Sequence, residues 1–265
     1  MELFDSHAHL DIERTTQKQL RALLDRAFEQ GLVGIVAIAG ATRVGEYELT
    51  LQLATDDRRI HAAAGIHPHA ASGATIDALD KLMAVLDHER VVALGEIGLD
   101  YHYNYSPPAE QRRAFVAQLR MAHKAALPVI VHTRQAEADT AAILADEGVE
   151  QVGGVLHCFS SGVELARSAL NLGLYISFSG MITFPKADEI RSIAAEVPIE
   201  RILAETDTPF LSPHPMRGRT NEPSHVKYVV EKLAQIREID AEEMARVCTA
   251  NTRQCFRLLE ALPQE

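Results

Sequence analysis

The feature that most constrains this chain is a regular alternation: eight short apolar runs of strand type, each followed by a longer stretch with helical period. Strands are expected over 2–10, 33–39, 61–67, 91–99, 129–133, 154–159, 174–179 and 201–206, since short apolar runs bounded by turn residues suit buried parallel strands. Helices fall between them, as at 16–30, 76–88 and 110–126, the last with Phe115, Leu119, Ala122 and Ala126 on one face. Pro107 and Pro108 fit the start of that helix, with Glu110 in its first turn. A Pro-rich loop over 209–223 follows the eighth strand, and two further helices are expected to pack on the outside. Eight βα units in 265 residues suit an α/β fold of the (β/α)8 TIM type, whose chemistry sits at the C-terminal ends of the strands. An open doubly wound sheet is the competing architecture, and the lack of a Gly-rich phosphate loop after the first strand counts against it. No linker divides the sequence, so residues 1–265 read as one domain.

Composition narrows the function classes. With 47% hydrophobic residues the chain can bury a sizeable core. A run of about 18 apolar residues, the least that spans a bilayer, is missing. Residues 1–10 mix polar and apolar groups without a basic start and an apolar core, so no export signal is expected. Cys158, Cys248 and Cys255 are odd in number and lack metal-type spacing, which points to reduced packing thiols in a cytoplasmic protein. A net charge of -11 argues against broad wrapping of nucleic acid, which needs a basic surface. It does not exclude a small phosphate-bearing substrate, because bound cations reverse the field locally.

The chemistry-bearing residues recur at strand ends. His7 and His9 are two apart on the first strand and share a face, an arrangement that suits a borderline divalent metal. Alone, such a pair is equally consistent with two ordinary polar residues. However, Glu96, His132, His157 and Asp207 each follow an apolar run on a later strand. Buried ionisable groups are costly without partners, and chance repetition at five strands is a poor explanation.

These segments resemble the TatD family of metal-dependent deoxyribonucleases, within the amidohydrolase-like barrels, over the whole length. The matching stretches are Leu3-Phe4-Asp5-Ser6-His7-Ala8-His9-Leu10-Asp11, Gly65-Ile66-His67-Pro68, Gly95-Glu96-Ile97-Gly98-Leu99-Asp100-Tyr101 and Pro128-Val129-Ile130-Val131-His132-Thr133-Arg134. Further along come His157-Cys158-Phe159-Ser160, Glu205-Thr206-Asp207-Thr208-Pro209 and Arg217-Gly218-Arg219-Thr220-Asn221-Glu222-Pro223. Ala204 and His102 depart from the usual family pattern, and neither is a ligand candidate.

The resemblance implies two divalent ions, Mg, Mn or Zn. His7, His9, Glu96 and Asp207 would hold one, and the shared Glu96 with His132 and His157 the other. Asp207 would also be the general base, and Glu96 the bridge on which catalysis depends. His67 resembles the position that contacts substrate phosphate, with a turn histidine as its plainer reading. Arg134 and Glu205 join it on the substrate side: Arg134 could meet an anion or form a structural ion pair. Glu205 could orient a ligand histidine or support the following loop. Arg217 and Arg219 would form a basic rim. His69, Asp100, Tyr101 and Asn104 could line the mouth, while His61, His88, His123, His214 and His225 read as packing or surface residues. The implied activity is 3′-5′ exonuclease-like hydrolysis of single-stranded DNA ends, with RNA as a further substrate and no obligate protein partner. An amidohydrolase or lactonase using the same metal pair on a carbonyl or small phosphoester is the alternative.

Overall fold

Eight strands pair in parallel in chain order: β1 (Leu3–Ala8), β2 (Leu32–Ala39), β3 (Ile60–Ala64), β4 (Val91–Asp100), β5 (Val129–Arg134), β6 (Gly154–Leu156), β7 (Tyr175–Phe178) and β8 (Ile202–Ala204). The computed structural model describes residues 1–10, 16–40 and 44–258, so Asp11 of the first motif lies outside the described residues. The ring joins up through a parallel bridge between Ala8 and Thr208. There the His9 N–H donates to Thr208 O at 2.8 Å and the Asp207 N–H to His7 O at 3.0 Å. A doubly wound sheet would reverse its strand order at a switch point. Sequential order with this joining makes the fold a (β/α)8 TIM-type barrel.

Parallel neighbours need crossovers, which are α1 (Gln17–Glu29), α2 (Glu48–Asp56), α3 (Ile76–Leu86), α4 (Pro108–Ala125), α5 (Glu137–Asp146), α6 (Val163–Asn171) and α7 (Asp188–Glu196). α8 (Val226–Arg237) and α9 (Ala241–Cys255) follow the long loop. The start of α1 is a capping box: Thr16 Oγ1 accepts the Gln19 N–H while Gln19 Oε1 accepts the Thr16 N–H. Its buried Leu20, Leu23, Leu24 and Ala27 lie at helical spacing. α4 begins at Pro108 and stops before Ala126, which takes a left-handed conformation; Pro128 two residues on discourages further helix.

Strand alternation divides the core in two. Phe4, Val36, Ile38, Ala63, Ala93, Ile130, Val155 and Leu203 fill the barrel, with Cys255 and Phe256 from the end of α9 packed among them. Ile35, Ala37, Ile97, Leu99 and Val131 face outward into the layer beneath the helices, together with Phe115 and Leu119.

Five strands, β1, β3, β6, β7 and β8, are shorter than the sequence suggests, and beyond β3, β6 and β8 side chains take over the backbone groups. β3 ends at Ala64, and buried Gln118 of α4 accepts the Ile66 N–H at 2.7 Å and donates to Ile66 O at 3.0 Å. After β6 the Cys158 N–H goes to Glu205 Oε1, and after β8 the Thr206 N–H goes to Asp5 Oδ1. His67, His157 and Asp207 therefore leave from loop backbone rather than from strands. β4 instead runs one residue further than expected, so that Asp100 as well as Glu96 lies within it.

Candidate metal centre

Register brings the first donors together. On β4 Glu96 and Asp100 alternate with Ile97 and Leu99, which pack outward. Gly98 pairs with His132 across β4 and β5, and its φ of +135° and closeness to His132 O leave no room for a β-carbon. That approach sets His132 beside Glu96. On the other side, buried Asp5 ties β1 to the segment after β8 by accepting Thr206 Oγ1–H at 2.6 Å, Thr206 N–H at 2.8 Å and His7 N–H at 3.3 Å. Burial pushes the Asp5 carboxyl up to about 8 against those donors.

Two donor sets meet at Glu96. In the first, His7 Nε2 and His9 Nε2 are 3.3 Å apart. Glu96 Oε2 lies 3.5 and 3.7 Å from them, and Asp207 Oδ1 3.7 and 3.4 Å. In the second, Glu96 Oε1 lies 2.8 Å from His157 Nε2, 3.0 Å from His132 Nδ1 and 3.3 Å from His67 Nε2. Asp207 holds a left-handed φ of +57°, unusual outside glycine.

Two of these imidazoles, His157 and His132, are gripped from behind. His157 Nδ1 faces Glu205 Oε1 at 3.2 Å, and His132 Nε2 faces Asp100 Oδ2 at 3.1 Å, which also meets His69 Nε2 at 2.9 Å. A carboxylate or carbonyl behind the ring is the usual support of a metal-bound histidine. His67 differs: its Nδ1 accepts the His69 N–H at 3.1 Å, so its neutral tautomer carries the proton on Nε2, towards Glu96.

Burial raises the Glu96 carboxyl, but the surrounding His157, His67 and His132 reverse this and leave it well below the usual range. Asp207 is likewise raised by burial and brought down further by His9 and His7. Burial lowers His67 to about 4. His157 is driven up by Glu96 and Glu205 against its burial.

The donor chemistry fits cations. Trios within 4.8 Å are His7, His9 and Asp207; His7, His157 and Glu205; and His67, Glu96 and His132. Two imidazole nitrogens and two carboxylate oxygens converge in the first set, and among the described residues no lysine or arginine pairs with Glu96, Glu205 or Asp207. Buried carboxylates of this kind need positive charge.

All six expected ligand candidates, with His67 and Glu205, meet in this cluster. Arg134 stands apart and exposed, its guanidinium 4.8 Å from the centre of the Tyr103 ring. Arg217 packs over Phe184 and donates to Ser212 O at 3.2 Å. His88, His123 and His225 serve local hydrogen bonds. Sequence reasoning missed Asp5 as the tie to β8 and the exposed Tyr103, Tyr105 and Phe210 near the mouth. A usable signal was present: three of the six tyrosines fall within residues 101–105.

A family model described as TatD related DNase matches residues 4–257. The chain is 40% identical to the uncharacterized metal-dependent hydrolase YabD of Bacillus subtilis (strain 168) over 256 residues, covering 97% of this chain and 99% of that protein. It is 32% identical over 240 residues to the Salmonella typhimurium protein named 3′-5′ ssDNA/RNA exonuclease TatD, covering 88% of this chain and 91% of that one. The crystal structure of YJJV, a TatD homolog from Escherichia coli K12, matches with a TM-score of 0.90 at 30% identity, covering 97% of this chain and 98% of that chain. By a match across nearly its whole length, this protein belongs to the TatD related DNase family of metal-dependent hydrolases.

Proposed function

We propose that this chain is a two-cation phosphodiesterase that removes nucleotides from single-stranded DNA ends in the 3′ to 5′ direction, with residues 1–265 acting as one domain in the cytoplasm. The observation that carries the proposal is the division of Glu96, with Oε2 towards His7 and His9 and Oε1 towards His132 and His157. A carboxylate so placed would bridge two ions, one completed by His7, His9 and Asp207 and the other by His132 and His157. Bound there, Mg, Mn or Zn would supply Lewis acidity and ease the ionisation of water. The imidazole-rich sets favour Zn or Mn over the oxygen-seeking Mg.

Asp207 stays ionised at neutral pH and can take the proton of the attacking water. His67 stays neutral with its proton on Nε2, towards Glu96, where an oxygen of a phosphate held at the cations would meet it. Arg134 adds an exposed cation at the rim for the strand's next phosphate. Glu205 supports His157 and the Cys158 N–H rather than reaching solvent, so its effect on substrate is exerted through His157. A neutral donor and a rim cation suit a phosphodiester better than the uncharged carbonyl of a lactonase or amidohydrolase substrate. The Salmonella relative's name supports the same substrate class and extends it to RNA.

The test is hydrolysis of end-labelled single-stranded DNA by metal-stripped protein, with Mg, Mn or Zn added back and Asp207→Asn as control. The expected result is metal-dependent shortening from the 3′ end that the variant lacks. No cleavage with any metal would refute the nuclease reading.

A further inference from the structure

Rings continue outward from the ligand cluster. His67 and His132 are 4.9 Å apart between ring centres, and His69 meets His67 edge-on at 4.3 Å. His69 in turn meets the Tyr105 ring at 4.8 Å and the Tyr103 ring at 5.5 Å. The two tyrosines are nearly parallel, 13° apart in plane with centres 5.4 Å apart. Their exposures, 48% for Tyr103 and 70% for Tyr105, contrast with the burial of most large side chains. The Arg134 guanidinium lies 4.8 Å from the Tyr103 ring centre.

The loop bearing them is held at both ends. Asp100 Oδ1 accepts the His102 N–H at 3.0 Å and the Tyr103 N–H at 2.8 Å. Ser106 Oγ donates to His69 O at 2.9 Å and accepts the Ser72 N–H at 3.0 Å, while Gln111 Nε2 donates to Ser106 O at 2.8 Å. A tethered loop that displays a stacked aromatic pair has already lost the freedom that binding would otherwise cost.

We propose that the exposed ring of Tyr105, stacked on Tyr103, is a stacking site for one base of a single-stranded nucleic acid, with Arg134, whose guanidinium lies over the Tyr103 ring, for a flanking phosphate. This rests on the nuclease reading and adds a binding subsite to it. Stacking on an aromatic face is tolerant of base identity, and a neighbouring guanidinium strengthens it. His69 meets both the Tyr105 ring at 4.8 Å and the His132 ring at 6.2 Å between centres, so the stacked base belongs to a nucleotide close to the bond that is cut.

The experiment measures binding of phosphorothioate-linked single-stranded oligonucleotides carrying 2-aminopurine or an abasic tetrahydrofuran residue near the 3′ end. The chain has no tryptophan, so 2-aminopurine emission is read without that background. The proposal expects quenching on binding, lost in Tyr105→Ala and kept in Tyr105→Phe, with affinity for the base-bearing strand falling roughly tenfold in the alanine variant. The abasic strand should bind weakly to both proteins. Unchanged affinity in Tyr105→Ala, or equal loss for base-bearing and abasic strands, overturns the stacking site while leaving hydrolysis to stand. If the unaltered protein neither binds nor cleaves any oligonucleotide, the nuclease reading falls and the stacking site with it.

Discussion

Asp100 Oδ2 lies 3.1 Å from His132 Nε2, so this imidazole is held from behind while its other nitrogen faces Glu96. The opposite Asp100 oxygen anchors the loop that carries Tyr103. Burial raises this carboxyl, and hydrogen bonds from His132, His69 and the Tyr103 N–H bring it below the usual range. One carboxylate thus sets both the ring that faces Glu96 and the rim of the mouth.

Asp100→Asn should separate those roles. If the amide oxygen keeps the backbone N–H groups, the NH2 faces His132 and can no longer accept from it. Metal affinity at the His132 side should fall about 10- to 100-fold, with the fold retained. Metal titration by calorimetry checks this; an unchanged affinity would mean that Asp100 does not orient His132.

Gly98→Ala tests the close approach of β4 and β5. A β-carbon there meets His132 O in a backbone conformation that side chains rarely adopt. Strain of this kind costs about 1–3 kcal/mol before the collision is added. Denaturant unfolding should show a loss of at least about 2 kcal/mol, and a change within experimental error would remove Gly98 from the account.

His61 makes stability depend on pH away from the candidate metal centre. Burial, helped by Arg90, lowers it from 6.5 to about 4. Between those values the unfolded chain binds a proton that the folded chain does not. Its contribution is therefore complete above pH 6.5 and is lost as pH falls towards 4, by at most about 3 kcal/mol. Unfolding free energies at pH 7 and pH 5 should converge in His61→Gln relative to the unaltered chain; identical slopes in both proteins would contradict the assignment.

Much of the centre was legible because side-chain period and barrel geometry act locally. His7 and His9 share a face by alternation, and a barrel turns strand ends into one mouth, so residues as distant as His9 and Asp207 meet. Strand limits were less legible. They depend on Gln118, whose amide replaces a strand partner for Ile66 from 52 positions away. His67 was expected outside the ligand group and lies 3.3 Å from Glu96, because the early end of β3 lets the chain turn inward. Tyr103 and Tyr105 sit in a loop without period, so only their crowding hinted at a role.

The most direct measurement counts bound metal by elemental analysis in the unaltered chain and in Glu96→Ala, each after reconstitution and gel filtration. The account predicts about two ions per chain in the former and loss of both, with hydrolysis, in a variant that remains folded by circular dichroism. A single ion in the unaltered chain, or two ions retained without Glu96, would contradict a centre bridged by this carboxylate.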